Sequence, residues 1–227
     1  MSVDVDTDLA SEAERLGCAA LVDAMGRIHG HRAHLLPMAS PNPTLSLFGP
    51  VATIAYMPYR DDLTTDGEFG ALFDRAIDVP FAGAPVLVLS NGGYPDVSHG
   101  GGVKLSRVAF RHLAGVLADG RLRDFDELRR HGFATWCRGE AVRWGGDAVM
   151  PYAANVAVEV GGVCVVPGDY VYVDSSGGVV IPAKSSRRVL DMAHQVAAED
   201  DEYLTQLGDE HTRLAEGDAW ADRRHTS

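Results

Sequence analysis

Apolar positions along this chain recur with two different periods. Over residues 11–25 they return every three or four places, with Leu16, Ala19, Ala20 and Met25 as the apolar set, which predicts an amphipathic helix. The same spacing predicts a short helix over residues 69–78 and another over residues 103–113, with Leu105, Val108, Ala109 and Leu113 on one side. A third, over residues 125–131, stops at Gly132, a natural helix end. Between them lie short continuous apolar runs, 85–89 (PVLVL) and 115–118, as expected of strands buried on both faces. Residues 47–56 read as a longer strand, and residues 134–137, 155–160, 163–166, 170–173 and 179–181 as further strands. Gly161-Gly162 marks a hairpin, and Pro167-Gly168-Asp169 and residues 175–178 mark other turns. Residues 26–43, with Gly, His and three prolines, read as loop. A long polar helix is expected over residues 185–206, followed by a charged, frayed tail over 208–227.

Helices mixed with short buried strands, then a strand-rich half closed by a helix, imply an α/β or α+β layered fold. One core is expected over residues 1–227, with no repeat and no linker. Hydrophobic residues at 46% and charged residues at 23% are enough for a sizeable core. The formal net charge of −12, with no basic stripe, argues against general binding to nucleic acid or anionic membrane, although a local basic pocket is compatible with it. Cys18, Cys137 and Cys164 form no CxxC pair, so buried free thiols are expected rather than a disulfide framework or structural zinc. The acidic start has no apolar run behind it, and no stretch is apolar enough to span a bilayer. The expected location is cytoplasmic.

Two stretches carry chemistry. Gly100-Gly101-Gly102 leads straight into the helix expected at Val103, where bare backbone N–H groups and the helix dipole favour an anion. A flexible turn is the alternative. Neither a Walker A loop nor a dinucleotide fingerprint fits the spacing. The second stretch, residues 119–127, follows a buried strand. Arg123 can clamp a carboxylate, and Asp124 is a hard oxygen ligand suited to Mg²⁺ or Mn²⁺. Asp124 with Glu127 also spells a capping box for the helix at Phe125. His99 abuts the glycine run and is a candidate for proton transfer. His29, His31 and His34 read as a solvated loop, Asp61-Asp62 and Asp200-Asp201-Glu202 as solvated faces, and Trp136, Trp144 and Tyr152 as core or interface aromatics.

Several stretches occur together in a known order: Val22-Asp23-Ala24-Met25-Gly26, Phe48-Gly49-Pro50-Val51-Ala52-Thr53, residues 86–93, and Ala114-Gly115-Val116-Leu117-Ala118-Asp119-Gly120 with Arg123-Asp124. Val160-Gly161-Gly162-Val163 with Pro167-Gly168-Asp169 completes the set. On these the chain resembles the RraA-like proteins over residues 86–181, and more loosely over 21–203. That family includes divalent-metal-dependent 4-hydroxy-4-methyl-2-oxoglutarate / 4-carboxy-4-hydroxy-2-oxoadipate aldolases and the regulator of ribonuclease activity A.

The resemblance implies a swivelling β/β/α-type domain assembling as homotrimers or homohexamers with sites between subunits. It implies that Asp124 holds Mg²⁺ (or Mn²⁺), and that Arg123 and the N–H groups of Val103 and Lys104 bind the pyruvyl end of a small 2-oxo dicarboxylic acid. Gly92, Gly93, Gly101 and Gly102 would shape the same site. The implied activity is carbon–carbon lyase chemistry, retro-aldol cleavage or β-decarboxylation, giving pyruvate or its enolate. The alternatives are a non-catalytic regulator that binds a ribonuclease or other protein, and a recruited relative doing related enolate chemistry. This sequence departs from the family pattern at three places. Gly102 stands where the aldolases carry an acid, Ser90-Asn91 where Asp-Gly is usual, and a Lys expected near Val149 is missing. Candidates for the thinned acidic complement are Asp96 and His99 in the same loop, and Glu199 or Asp200 reaching from a neighbouring subunit.

Overall fold

The computed structural model describes residues 4–65 and 67–224. The chain opens with α1 (Asp4–Ile28) and the short strand β1 (His34–Leu35), followed by β2 (Leu47–Pro58). Three crossovers follow: α2 (Phe69–Ile77) to β3 (Val86–Leu89), α3 (Gly102–Phe110) to β4 (Gly115–Ala118), and α4 (Phe125–His131) to β5 (Ala134–Cys137). The second half holds β6 (Val149–Ala154), β7 (Val158–Val160), β8 (Val163–Val165), β9 (Tyr170–Asp174) and β10 (Gly177–Ile181). It closes with α5 (Ser186–Arg224).

The main sheet runs β1-β10-β9-β2-β3-β4-β5. From β2 to β5 the strands are parallel, in register Val51↔Val86↔Gly115↔Ala134. Along one edge of β2, its first half pairs antiparallel with β9 and its last residues pair with β6. Alternation along β2 divides the core. Ala52, Ile54 and Tyr56 face α2, α3 and α4, burying Leu72, Phe73, Leu105, Val108 and Leu128. Val51 and Ala55 face the β7–β8 hairpin, whose Val158, Val160, Val163 and Val165 seal the opposite side. A third cluster packs α1 and α5 on β9 and β10 through Leu21, Met25, Tyr172, Ile181, Val189 and Ala193. The result is a layered mixed α/β fold, as the alternation of elements predicts.

Four expectations change. First, α1 begins before Ser11 and kinks at Gly17, whose φ of 75° is non-helical. The kink resets the phase of the buried stripe, so Cys18, Leu21, Ala24 and Met25 are buried after it, whereas Ala19 is exposed and Leu16 only partly covered. The Cys18 N–H at the break is taken by the Asp174 carboxylate at 3.2 Å. Second, the strand expected over 155–160 is shorter, β7 covering only Val158–Val160, because Asn155 adopts the left-handed region (φ 51°) and ends a preceding strand, β6 (Val149–Ala154), that the apolar pattern did not predict. Third, α5 continues as helix to Arg224 through most of the tail expected to fray, whose last three residues lie outside the described residues. Fourth, Cys18 and Cys137 are buried free thiols as expected, but Cys164 is exposed on β8. Among the described residues no helix is long and apolar enough to cross a membrane.

Candidate active site

The loops that leave the C-terminal ends of β3 and β4 meet beside the start of α3, the usual place for a ligand on parallel strands. Backbone bonds sew them together. The His99 N–H donates to the Arg121 carbonyl at 2.9 Å, and the Arg123 N–H donates to the Gly100 carbonyl at 3.0 Å. Gly101 is the extended residue before α3, and no side chain caps this helix. The N–H groups of its first turn, at Gly102, Val103 and Lys104, therefore have no partner within the helix.

Arg123 and Asp124 stand against this junction. Their side chains are 45% and 43% exposed and touch each other, with Arg123 Nε 3.4 Å from Asp124 Oδ2. A Cβ on Gly101 would lie 2.4 Å from Asp124 Oδ2 and 2.7 Å from Arg123 Cγ, so only bare backbone lets the pair sit there. Together with Ser98, Gly100, Gly101, Val103, Lys104 and Trp144 they line a cavity of about 60 Å³. A larger cavity of about 670 Å³ shares Ser98, Lys104 and Trp144 with it. Lys104 sits at the junction. Its ammonium donates to the His99 carbonyl at 3.2 Å and lies 4.8 Å from the centre of the Phe69 ring. Burial, and then the nearby Arg123 charge, push the Lys104 pKa down.

The capping box is not formed. Asp124 is in the left-handed conformation (φ 62°, ψ 46°) and makes no side-chain cap. Glu140 replaces it, accepting the Phe125 N–H at 2.9 Å. Both carboxylates of the supposed box are thereby free for other work. The Glu127 carboxyl group lies where a side chain on Gly102 would go, since a Cβ there would be 2.2 Å from Glu127 Cδ and Oε2. His131 flanks the same spot, with Nε2 3.1 Å from the Gly102 carbonyl.

His99 borders the larger cavity but is 1% exposed, and both its ring nitrogens are taken by backbone carbonyls. Nδ1 faces the Val97 carbonyl and Nε2 the Asn91 carbonyl, both at 3.0 Å. The ring packs edge-on to Tyr56 and lies on Gly120, where any Cβ would meet Nδ1 at 2.0 Å. Burial lowers its pKa, against the pull of the Asn91 and Val97 carbonyls. This histidine braces the loop from within.

Other expected residues lie apart. Gly92 and Gly93, both with positive φ, form the turn after β3 and line a different cavity with Tyr152 and Glu159. Glu199 forms an ion pair with Arg27 of the same chain at 2.7 Å, Asp200 is exposed on α5, and Asp96 pairs with Arg121 at 3.2 Å. Trp136 is buried, whereas Trp144 and Tyr152 are exposed. Residue-by-residue reading passed over the buried Asp119. Its carboxylate is held by Arg138 Nη2 at 2.7 Å, by the Gly161 N–H at 3.1 Å and by the Asn91 amide, and so ties β4, β5, the hairpin and the β3 loop together. Burial raises its pKa and Arg138 opposes that. The signal was an acidic residue ending a wholly apolar strand.

Asp124 and Glu127 offer two hard oxygen donors beside a bare helix start. Among the described residues no group of three or more His, Cys, Asp or Glu side chains could hold a metal. Two carboxylates, with water and substrate oxygens completing the shell, fit Mg²⁺ or Mn²⁺ better than a softer ion.

The RraA-like family model, described as Aldolase/RraA, matches residues 18–181, and the chain belongs to that family. Among curated proteins it is 23% identical over 186 residues to Protein DlpA of Legionella pneumophila, covering 82% of this chain and 29% of DlpA. It is 32% identical over 89 residues to a Halalkalibacterium halodurans protein provisionally named a 4-hydroxy-4-methyl-2-oxoglutarate aldolase, covering 39% of this chain and 42% of that protein. The matched stretch thus spans less than half the length of either relative. Among solved structures, Streptomyces coelicolor RraAS2, described as an unusual member of the RNase ES inhibitor RraA protein family, superposes with a TM-score of 0.75. That match has 25% identity and covers 88% of this chain and 98% of that one.

Proposed function

We propose that this chain is a carbon–carbon lyase, dependent on Mg²⁺ or Mn²⁺, that releases pyruvate or its enolate from a small 2-oxo dicarboxylic acid. One observation carries the reading: Arg123 and Asp124 share a cavity with the uncapped, glycine-led start of α3. The Arg123 guanidinium and the N–H groups of Val103 and Lys104 grip the C1 carboxylate. Asp124 offers its carboxylate to the cation, which, when bound, stabilises negative charge developing on the C2 oxygen. The cavity of about 60 Å³ has room for little more than the carboxyl end, so the rest of the acid extends toward the larger space beyond Lys104 and Trp144.

Breaking the C3–C4 bond leaves its electron pair on the pyruvyl fragment, which then takes a proton at C3. Retro-aldol cleavage also needs a base for the C4 hydroxyl, and β-decarboxylation does not. The ring nitrogens of His99 are turned to backbone carbonyls, so this histidine does not supply that base. With Gly102 standing where the aldolases carry an acid, decarboxylation is the favoured reaction. Pyruvate release from oxaloacetate with Mg²⁺, corrected for the metal alone, should exceed release from 4-hydroxy-4-methyl-2-oxoglutarate, and Asp124→Ala should abolish it. The reverse order of rates sinks the decarboxylase assignment, and no release above the metal background sinks the lyase.

The protein is further proposed to work as a homotrimer or homohexamer, with Glu199 or Asp200 approaching a neighbour's site, in the cytoplasm. A second reading, a regulator that binds a ribonuclease, draws on the likeness to the Streptomyces coelicolor protein. Capture of a ribonuclease by a protein that releases no pyruvate would establish it instead.

A further inference from the structure

Lys104 stands where two cavities meet. It lines both the small one that holds Arg123 and Asp124 and the larger one of about 670 Å³. Tyr59, Leu63, Phe69, Val149 and Met150 give the larger cavity apolar walls, and among the described residues Lys104 is the one Lys or Arg in its lining. An ammonium has three N–H donors. Here one goes to the neutral His99 carbonyl at 3.2 Å, and the Phe69 ring lies 4.8 Å away. Among the described residues no carboxylate pairs with it, and Glu68, the acid in the same lining, does not offset its charge. Burial and the neighbouring Arg123 both work against that charge. Two like charges held beside one cavity, in a chain of formal net charge −12, are relieved by a ligand that brings two negative charges.

We propose that the Lys104 ammonium holds the second carboxylate of the substrate and so selects dicarboxylic over monocarboxylic 2-oxo acids. The inference rests on the reading of Arg123 and the α3 N–H groups as the clamp for the C1 carboxylate. Arg123 fixes one end of the acid and the Lys104 side chain the other, while the Lys104 backbone N–H stays with the C1 end. A compact charge on a flexible stem suits a second carboxylate whose distance from C1 varies between acids. Where that carboxylate is the one lost as CO₂, the contact favours the bound acid over the transition state. It therefore acts on KM and not on kcat.

The test compares three unreactive probes by calorimetry with Mg²⁺ on the full chain: oxamate, N-oxalylglycine, which adds a second carboxylate, and N-benzyloxamate, which adds an apolar ring. Wild type should bind N-oxalylglycine about tenfold or more tighter than oxamate. In Lys104→Met, checked for folding by its melting temperature, that ratio should fall toward one, and Lys104→Arg should keep part of it. Lys104→Met should also raise KM for oxaloacetate by a similar factor with kcat no lower. Equal binding of oxamate and N-oxalylglycine, or an unchanged ratio in folded Lys104→Met, overturns the inference. So does tighter binding of N-benzyloxamate than of N-oxalylglycine, which would give the larger cavity to an apolar group. A fall in kcat at constant KM also overturns it, because Lys104 would then act in the bond-breaking step. In each of these cases the C1 clamp stands if oxamate binds and Arg123→Ala abolishes that binding. If oxamate and N-oxalylglycine both fail to bind wild type, the clamp falls together with the inference.

Discussion

At the level of single residues, glycines decide where the functional side chains stand. Gly120 admits the His99 ring and Gly101 admits the Arg123–Asp124 pair, and in both cases the neighbour lies closer than a Cβ would allow. Because Gly101 is extended, alanine there creates no backbone strain. Its methyl group would meet Asp124 Oδ2 and Arg123 Cγ and push the pair outward. Gly101→Ala should therefore keep its melting temperature within a few degrees yet lose more than about tenfold in affinity for oxalate with Mg²⁺, as a misplaced charge-assisted clamp would. Calorimetry checks this, and unchanged oxalate affinity would mean that the pair does not grip the ligand. The Gly-to-helix junction and the Arg-Asp pair were legible in the sequence because each is a contiguous motif with its own chemistry. Glu127 was not read as a site residue because Asp124 and Glu127 spell a capping box locally. Only the fold reveals that Asp124 is left-handed and that Glu140, distant in sequence, takes the cap.

At the level of elements, the short apolar runs of β3 and β4 are legible because strands buried on both faces are almost wholly apolar, and β5 is legible despite its buried Thr135. Gly161-Gly162, with φ of 55° and 84°, forms the hairpin turn that dipeptide calls for. The face of α1 was misread because one periodic stripe was assumed to run through Gly17. The link between α1 and α5 was invisible for a different reason, since its partners are some 175 residues apart. Arg187 clamps the nearly buried Glu12 carboxylate through two bonds of 2.8 and 2.6 Å, and His194 Nε2 adds a third contact at 2.6 Å. The Arg187 hydrogen bonds lower the Glu12 pKa despite the opposing effect of burial. A carboxylate whose pKa is lowered by folding adds stability that is complete above its ordinary pKa and disappears as pH falls through the folded value. Glu12→Gln should thus cost about 1–2 kcal/mol near neutral pH, less than for a fully buried pair. The discount reflects Arg187, which stays 55% exposed. The gap between wild type and variant should close in acid, and melting curves across pH measure it. A gap that persists below the carboxylate range would assign the effect to packing rather than charge.

At the level of the whole molecule, α5 is longer than this chain's own core can use. Its buried residues are Val189, Leu190, Ala193 and Val196, and none lies beyond Val196 among those whose side chains are described. Past that point Leu204, Leu207 and Leu214 are exposed, with His211 between them, at the three-four-three spacing of a coiled-coil seam. A helix that leaves its own core yet keeps an apolar seam gains stability by laying that seam on another helix, because isolated helices are marginal in water. The proposed homo-oligomer supplies such a surface, and the same helix carries Glu199 and Asp200 at its base. Replacing Leu204 and Leu207 together by Glu touches no core contact of the single chain, so the melting of the individual fold should change little. The subunit count measured by light scattering should drop from three or six toward one. If Glu199 or Asp200 completes a neighbour's site, pyruvate release should fall along with the subunit count and recover partly at high protein concentration. An unchanged assembly would remove the seam from the interface, and a monomer with full activity would show that each site is complete within one chain.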